Sequence, residues 1–190
     1  MGNREALLAG AKSCLREKGY DRTGVRDIAT AAGVSMAAIG YHYGSRETLL
    51  NQALFEILDE WGDAMGRALV PDADGSTKRH FEQVWDGLIK DFAAHPDLWV
   101  ASLELFMQAR RRPELREPLA DGLAQGRRGL AAIVAGVAED EVPDTSVRTL
   151  GSVQLALMSG VMIQHLGDPA NAPTAAEVLC GLRELGRLAE

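Results

Sequence analysis

Val25-Arg-Asp-Ile-Ala-Thr-Ala-Ala-Gly-Val-Ser-Met-Ala-Ala-Ile-Gly-Tyr-His-Tyr43 is the stretch that decides the fold. Val25, Ile28, Ala29 and Ala32 recur at helical spacing, Gly33 ends that run, and a second short helix follows from Met36 to Tyr43. Two short helices joined by Gly33-Val34-Ser35 make a helix-turn-helix plan. Small residues serve it at each point: Ala29 lets the helices approach, Gly33 permits the sharp turn, Val34 fills the crevice, and Ser35 is expected to cap the second helix. Tyr41 and His42 on that helix, and Arg46 at the next helix start, are groups suited to phosphate.

Upstream, Leu7, Leu8, Ala11, Cys14 and Leu15 mark a first helix, opened by Asn3 as N-cap and closed at Gly19. Downstream, Gly44 ends the third helix and Ser45 caps a long one whose apolar face runs from Leu50 through Leu54, Ile57 and Trp61 to Ala68. A loop at Pro71–Ser76 follows. Phe81 to Phe92 gives the next helix, stopped by His95-Pro96, and Asp97 is expected to cap a successor reaching about Arg112 before Pro113. Leu119 to Val137 forms another. Thr149–Gly167 carries no formal charge, but its glutamines, His165, serines and glycines dilute its hydropathy, so a buried helix is expected rather than a membrane span. Thr174-Ala-Ala-Glu177 is a capping box for the last helix. The fold class expected is therefore all-α: a three-helix N-terminal helix-turn-helix module and a C-terminal helical body, about nine helices in total. The division falls at residues 1–50 and 51–190.

Composition agrees. With 190 residues, 46% of them hydrophobic and 5% aromatic, the chain is globular and leans to helices over β sandwiches. Cys14 and Cys180 form no CxxC pair, which removes zinc and disulfide-scaffold readings and suits a reducing cytoplasm; the N-terminus has no export signal. Net charge is -7, yet residues 1–50 hold seven Lys/Arg against five Asp/Glu, so a mildly basic module precedes an acidic body.

The segments Val25–Ala29, Ala32–Ser35 and Tyr41-His-Tyr-Gly-Ser-Arg-Glu-Thr-Leu-Leu50 resemble the TetR family of bacterial transcriptional regulators, over roughly residues 5 to 50. The resemblance implies a homodimer that binds a palindromic, double-stranded operator and is released by a small effector, with no cofactor and no membrane. It places the recognition helix at Ser35 to Tyr43 and the DNA contacts at Thr23, Gly24, Ser35, Met36, Ala37, Ala38, Tyr41, His42, Tyr43 and Arg46. Six positions depart from the family. Gly24 stands where a phosphate-binding Thr or Ser is usual, Gly40 where tyrosine is common, Arg46 where lysine is usual, and Met36-Ala-Ala38 where polar residues are frequent. A recognition helix this apolar is expected to read thymine methyls and DNA shape more than purine edges.

The sensor is expected between about residues 78 and 170, as an apolar pocket for a hydrophobic or aromatic effector. Its candidate lining is Trp61, Trp85, Ile89, Phe92, Trp99, Leu103, Glu104, Phe106, Met107, Gln108, Met158, Met162 and His165. Gln154 and Gln164 are further isolated polar groups in an apolar helix. For dimerisation, Ser152, Ala156, Ser159 and Ile163 form one small-residue stripe, and Val178, Leu182 and Leu185 form an apolar stripe on the last helix; two helices from each chain would build a four-helix bundle. Against an enzyme, the four histidines show no metal-binding spacing, and no nucleophile elbow or phosphate loop occurs, so neither catalytic nor metal residues are expected. Two other readings stay open on residues alone: a helical protein-interaction or architectural module without effector control, and a small helical enzyme.

Overall fold

A computed structural model describes residues 2–68 and 77–188, and among them nine helices and no strand occur. Helix α1 is Asn3–Lys18, α2 Val25–Ala32, α3 Ala37–Tyr43, α4 Arg46–Ala68, α5 Thr77–Ala94, α6 Pro96–Arg111, α7 Arg116–Ala135, α8 Asp144–Gly167 and α9 Ala175–Leu188. The loop expected at Pro71–Ser76 lies outside the described residues.

Two compact units form. The first joins residues 1–61 to 95–119, and the second joins 62–94 to 120–190. These units follow packing, and so differ from the division expected at 50/51. In the first unit, Leu7, Ala11 and Leu15 of α1, Ile28 of α2, Ile39 and Tyr43 of α3, and Leu49, Leu50 and Leu54 of α4 share one core with Ala101, Leu105 and Ala109 of α6. The helix-turn-helix is thus built onto α6 as well as α4. Close approach of α1 and α2 depends on Gly10, where a Cβ would stand 3.0 Å from the backbone nitrogen of Ala32 and 3.1 Å from the carbonyl oxygen of Ile28.

In the second unit, Val84, Trp85, Leu88 and Phe92 of α5 are buried, as are Leu130 and Ala131 of α7, Met158, Val161 and Met162 of α8, and Val178 and Leu179 of α9. The ring Nε2 of His80 donates to the Ile133 carbonyl at 2.6 Å, linking α5 to α7. Helix α8 opens with a wide π turn over Val147–Gly151. There, a Cβ on Gly151 would overlap the Arg127 carbonyl oxygen and stand 2.9 Å from its carbon, so α7 and α8 cross where only glycine fits.

Several local expectations need correcting. The N-cap of α1 is Gly2, whose N–H donates to Glu5 at 3.1 Å, and Asn3 is already helical. Ser35 holds the start of α3 through its carbonyl, which accepts from Ala38 at 3.0 Å, and not through its hydroxyl. His95 is the N-cap of α6 and Asp97 lies in its first turn. The segment expected to be buried is α8, yet only 28% of its most apolar window is covered; by length and composition it would be long enough to cross a membrane. Ser45 and the Thr174–Glu177 box cap as expected: the Thr48 N–H donates to the Ser45 hydroxyl at 3.0 Å, and the Thr174 N–H donates to Glu177 at 2.8 Å.

Candidate nucleic-acid interface

Helix α2 ends at Gly33 in the left-handed conformation (φ 66°, ψ 28°), which turns the chain sharply toward α3. The Val34 N–H closes that end by donating to Ala29 at 3.1 Å, while its side chain packs on the core. Ile39 and Tyr43 anchor α3 inward, and the Tyr43 hydroxyl donates to the Arg4 carbonyl at 2.7 Å. With both anchors on one face, the opposite face is presented outward. Tyr41 is 86% exposed, Met36, Ala37 and Ser35 are exposed, and Ala38 and His42 are half-buried. The Tyr41 and His42 rings meet edge to face at 4.8 Å.

Four of the ten residues expected at the interface are turned inward. Thr23 is fully buried, and its hydroxyl bonds to the carbonyls of Gly19 at 2.7 Å and Cys14 at 3.2 Å, so it fastens the end of α1. Tyr43 belongs to the core. The Gly24 N–H is committed to Asp27 at 2.8 Å. Lys18 holds the other Asp27 oxygen at 2.6 Å, and this ion pair together with the Gly24 N–H keeps the Asp27 carboxyl below its ordinary range. Arg46 also points into the module: its Nε donates to the Thr23 carbonyl, one Nη to the Tyr20 carbonyl at 2.6 Å, and another to Glu47 at 3.2 Å. Its guanidinium lies 5.6 Å from the Tyr20 ring centre. Sequence patterning marks such residues as polar and near the turn, but cannot tell an inward hydrogen bond from an outward one. Two exposed cations of the module were not among the expected contacts: Arg26 on α2, and Arg4, which lies over the Tyr43 ring at 5.4 Å.

Beneath the interface sits a buried polar pair. The Tyr20 hydroxyl donates to Asn51 of α4 at 2.7 Å, and the half-buried amide of Gln108 on α6 lies close by. Burial raises the Tyr20 phenol above its ordinary range. The loop after α1 follows α6 further, where Arg22 pairs with Asp97 at 2.9 Å. Burial raises the Glu104 carboxyl, and the nearby charge of Asp21 adds to the rise.

The expected pocket residues divide between the units. Trp61, Trp99, Leu103, Glu104, Phe106, Met107 and Gln108 belong to the first, where the Trp61 and Trp99 rings meet edge to face at 4.8 Å. Phe106 and Met107 stand on the exposed side of α6, Met107 at 66%, and so do not line an interior. Trp85, Ile89, Phe92, Met158, Met162 and His165 belong to the second, where α5 packs on α8 and the Phe92 and His165 rings lie 6.3 Å apart.

On the expected dimer stripes, Ser152 and Ser159 are half-buried with hydroxyls bonded to carbonyls of their own helix, Leu182 is half-buried, and Val178 is buried in the unit. Ala156, Ile163 and Leu185 are exposed. The outward row on α8 runs through Leu150, Val153, Ala156, Gly160 and Ile163, and so includes two of the four expected positions, Ala156 and Ile163.

An outward short helix locked onto a left-handed glycine turn defines a helix-turn-helix regulator. The chain belongs to the TetR family: the model of bacterial regulatory proteins of the tetR family matches residues 7–53, and that of the tetracyclin repressor-like C-terminal domain matches 76–187. It is thus a TetR-family transcriptional regulator. A curated relative, the HTH-type transcriptional regulator BetI of Cronobacter sakazakii, is 24% identical over 90% of this chain and 84% of its own length. A transcriptional regulator from Saccharomonospora viridis, solved in complex with choline, has a TM-score of 0.61 at 20% identity, over 92% of this chain and 90% of its own. FadR of Bacillus subtilis, solved with stearoyl-CoA, has a TM-score of 0.59 at 18% identity, over 90% of this chain and 91% of its own.

Proposed function

We propose that this regulator is a repressor that acts as a homodimer on a palindromic operator in the cytoplasm and lets go when a small apolar effector binds its C-terminal part. The observation that carries the reading is the outward face of α3, with Met36, Ala37 and Tyr41 exposed opposite the buried Ile39 and Tyr43. In the major groove these groups offer methyl and aromatic surface to thymine methyls, with Ser35 and His42 as the polar members. Residues 1–50 would read DNA, and residues 51–190 would hold the effector and the dimer contact.

Dimerisation is supported by the outward apolar row of α8, continued on α9 by Leu185 and Leu188. Two copies pairing there would cover Val153 and Ile163, and would set two α3 helices about one DNA turn or a multiple apart. Effector control is supported by relatives solved with chemically unlike small molecules, choline in one and stearoyl-CoA in another. The test is selection of bound DNA from a random pool, followed by light scattering. A recovered palindrome bound by a dimer is the expected result. A strict monomer at micromolar concentration, or equal retention of scrambled DNA, would remove the reading.

A further inference from the structure

The second unit contains two deeply buried polar groups without a protein partner. Trp85 is fully buried on α5 and Gln154 is 2% exposed on α8, yet the indole Nε1 and the amide Nε2 have no hydrogen-bond partner. An indole nitrogen only donates, so its orphan hydrogen calls for an acceptor. Leaving such groups unsatisfied is unfavourable, and in native proteins each such case asks for an explanation. The other buried polar group of this unit, His80, is already bonded to the Ile133 carbonyl. Phe92 on the helix of Trp85, and Met158 and Met162 on the helix of Gln154, are apolar and buried, and the two helices pack on each other.

Charge narrows the ligand. Among the described residues no lysine, arginine, aspartate or glutamate is buried, so a carboxylate or a quaternary ammonium enclosed in this interior would meet no fully buried countercharge. We propose that the second unit takes an apolar ligand bearing a neutral carbonyl, a ketone, ester, lactone or amide, which accepts hydrogen bonds from Trp85 and Gln154. This names the chemistry of the effector proposed above and rests on that reading. The donors then discriminate: a hydrocarbon of the same shape leaves both unpaired, whereas a carbonyl satisfies them.

The experiment uses the full chain and two readouts. In the ligand-free state, Gln154→Met removes the orphan amide at similar volume, so its Tm should rise by about 3 °C. A fall in Tm would show that the amide serves the fold, and would overturn the proposal. In titrations followed by tryptophan emission, methyl nonyl ketone should bind at least tenfold more tightly than undecanoate or decyltrimethylammonium, and Gln154→Met should weaken ketone binding several-fold. Tighter binding of either charged probe, no binding of the ketone, or equal ketone affinity in the variant would each overturn it. The variant should keep operator DNA. If the unsubstituted chain failed to retain DNA while still preferring the ketone, the regulator reading would fall and the ligand assignment would stand.

Discussion

Arg46→Ala tests whether the first residue of α4 is a clamp or a free phosphate contact. The guanidinium commits three of its five N–H groups internally, to the carbonyls of Thr23 and Tyr20 and to Glu47. Charge-assisted bonds to backbone carbonyls contribute about 1.5–3 kcal/mol each when well buried, but this side chain is 20% exposed, so about 1 kcal/mol apiece is the reasonable figure. The Glu47 pair lies near the surface and adds little. The sum is about 2 kcal/mol, and at ~2–4 °C per kcal/mol for a chain of this size the Tm should fall by about 4–8 °C. Arg46→Lys should recover less than half of this, because a single ammonium cannot serve two diverging carbonyls and Glu47 together.

Operator binding separates the two roles. A cation engaged mainly with protein carbonyls releases few counterions, so the slope of log K against log salt should flatten by well under one unit in Arg46→Ala. Affinity should still drop, because the loop carrying Tyr20 and Thr23 loosens beside α3. Calorimetry and a salt series of operator titrations provide both numbers. An unchanged Tm with a full unit lost from the slope would refute the clamp and restore Arg46 as a direct phosphate contact.

Thr23→Val, which keeps the shape but deletes the hydroxyl bonded to Gly19 and Cys14, should cost about 1–2 kcal/mol by urea unfolding and leave the salt slope unchanged; a flattened slope would place this residue at DNA after all. Gly151→Ala should destabilise by about 3 kcal/mol or more, because its Cβ meets the Arg127 backbone and α7 and α8 must separate; near-normal melting would contradict the crossing. Ile163→Glu, at a position 51% exposed, should yield a folded monomer by light scattering if α8 pairs with a second copy, and a persistent dimer would move the interface elsewhere. Acid should loosen the first unit. Lys12 and Lys18 depress the Glu60 and Asp27 carboxyls below their unfolded values, so their stabilisation is present above the ordinary carboxylate range and is lost as pH falls through the depressed values. In Asp27→Asn the decline of Tm below about pH 5 should be shallower than in the parent chain, and an identical acid limb would exclude the pair.

The helices were legible because their boundaries rest on strong local chemistry. Gly33 and Gly44 adopt positive φ, Pro96 and Pro113 mark helix starts, and Ser45 and Thr174 cap with their own side chains. On α3 the sequence picked out Tyr41 and His42, which are exposed and half-buried, but also Tyr43, which packs inward. Illegible from sequence were the partners of polar side chains next to the turn: Thr23, Gly24 and Arg46 have the composition of phosphate ligands, but their bonding is decided by where the α1–α2 loop lies against α4, a tertiary matter. The same limit holds on α8. Several faces of that helix carry small or apolar residues, and only packing shows that Met158 and Met162 point inward while Val153 and Ile163 do not.

Chain connectivity then frames how an effector could matter to DNA. Helix α6 shares the core of the helix-turn-helix module through Ala101, Leu105 and Ala109, and its Gln108 amide lies close to the Tyr20 hydroxyl. Helix α5, which carries Trp85 and Phe92 in the other unit, is joined to α6 through His95 alone. A ligand held by Trp85 therefore acts on a helix one residue removed from one built into the DNA-reading unit. It can change operator affinity only by binding more tightly to one arrangement than the other, with a coupling of about 1–3 kcal/mol, and operator DNA must weaken ligand binding by the same factor. Gln108→Leu tests this route. It removes the α6 amide close to the Tyr20 hydroxyl without altering either Trp85 or α3, so effector affinity and operator affinity should each survive while the factor linking them shrinks toward one. An unchanged factor would mean that the coupling runs through α4, the helix that spans both units, and not through α6.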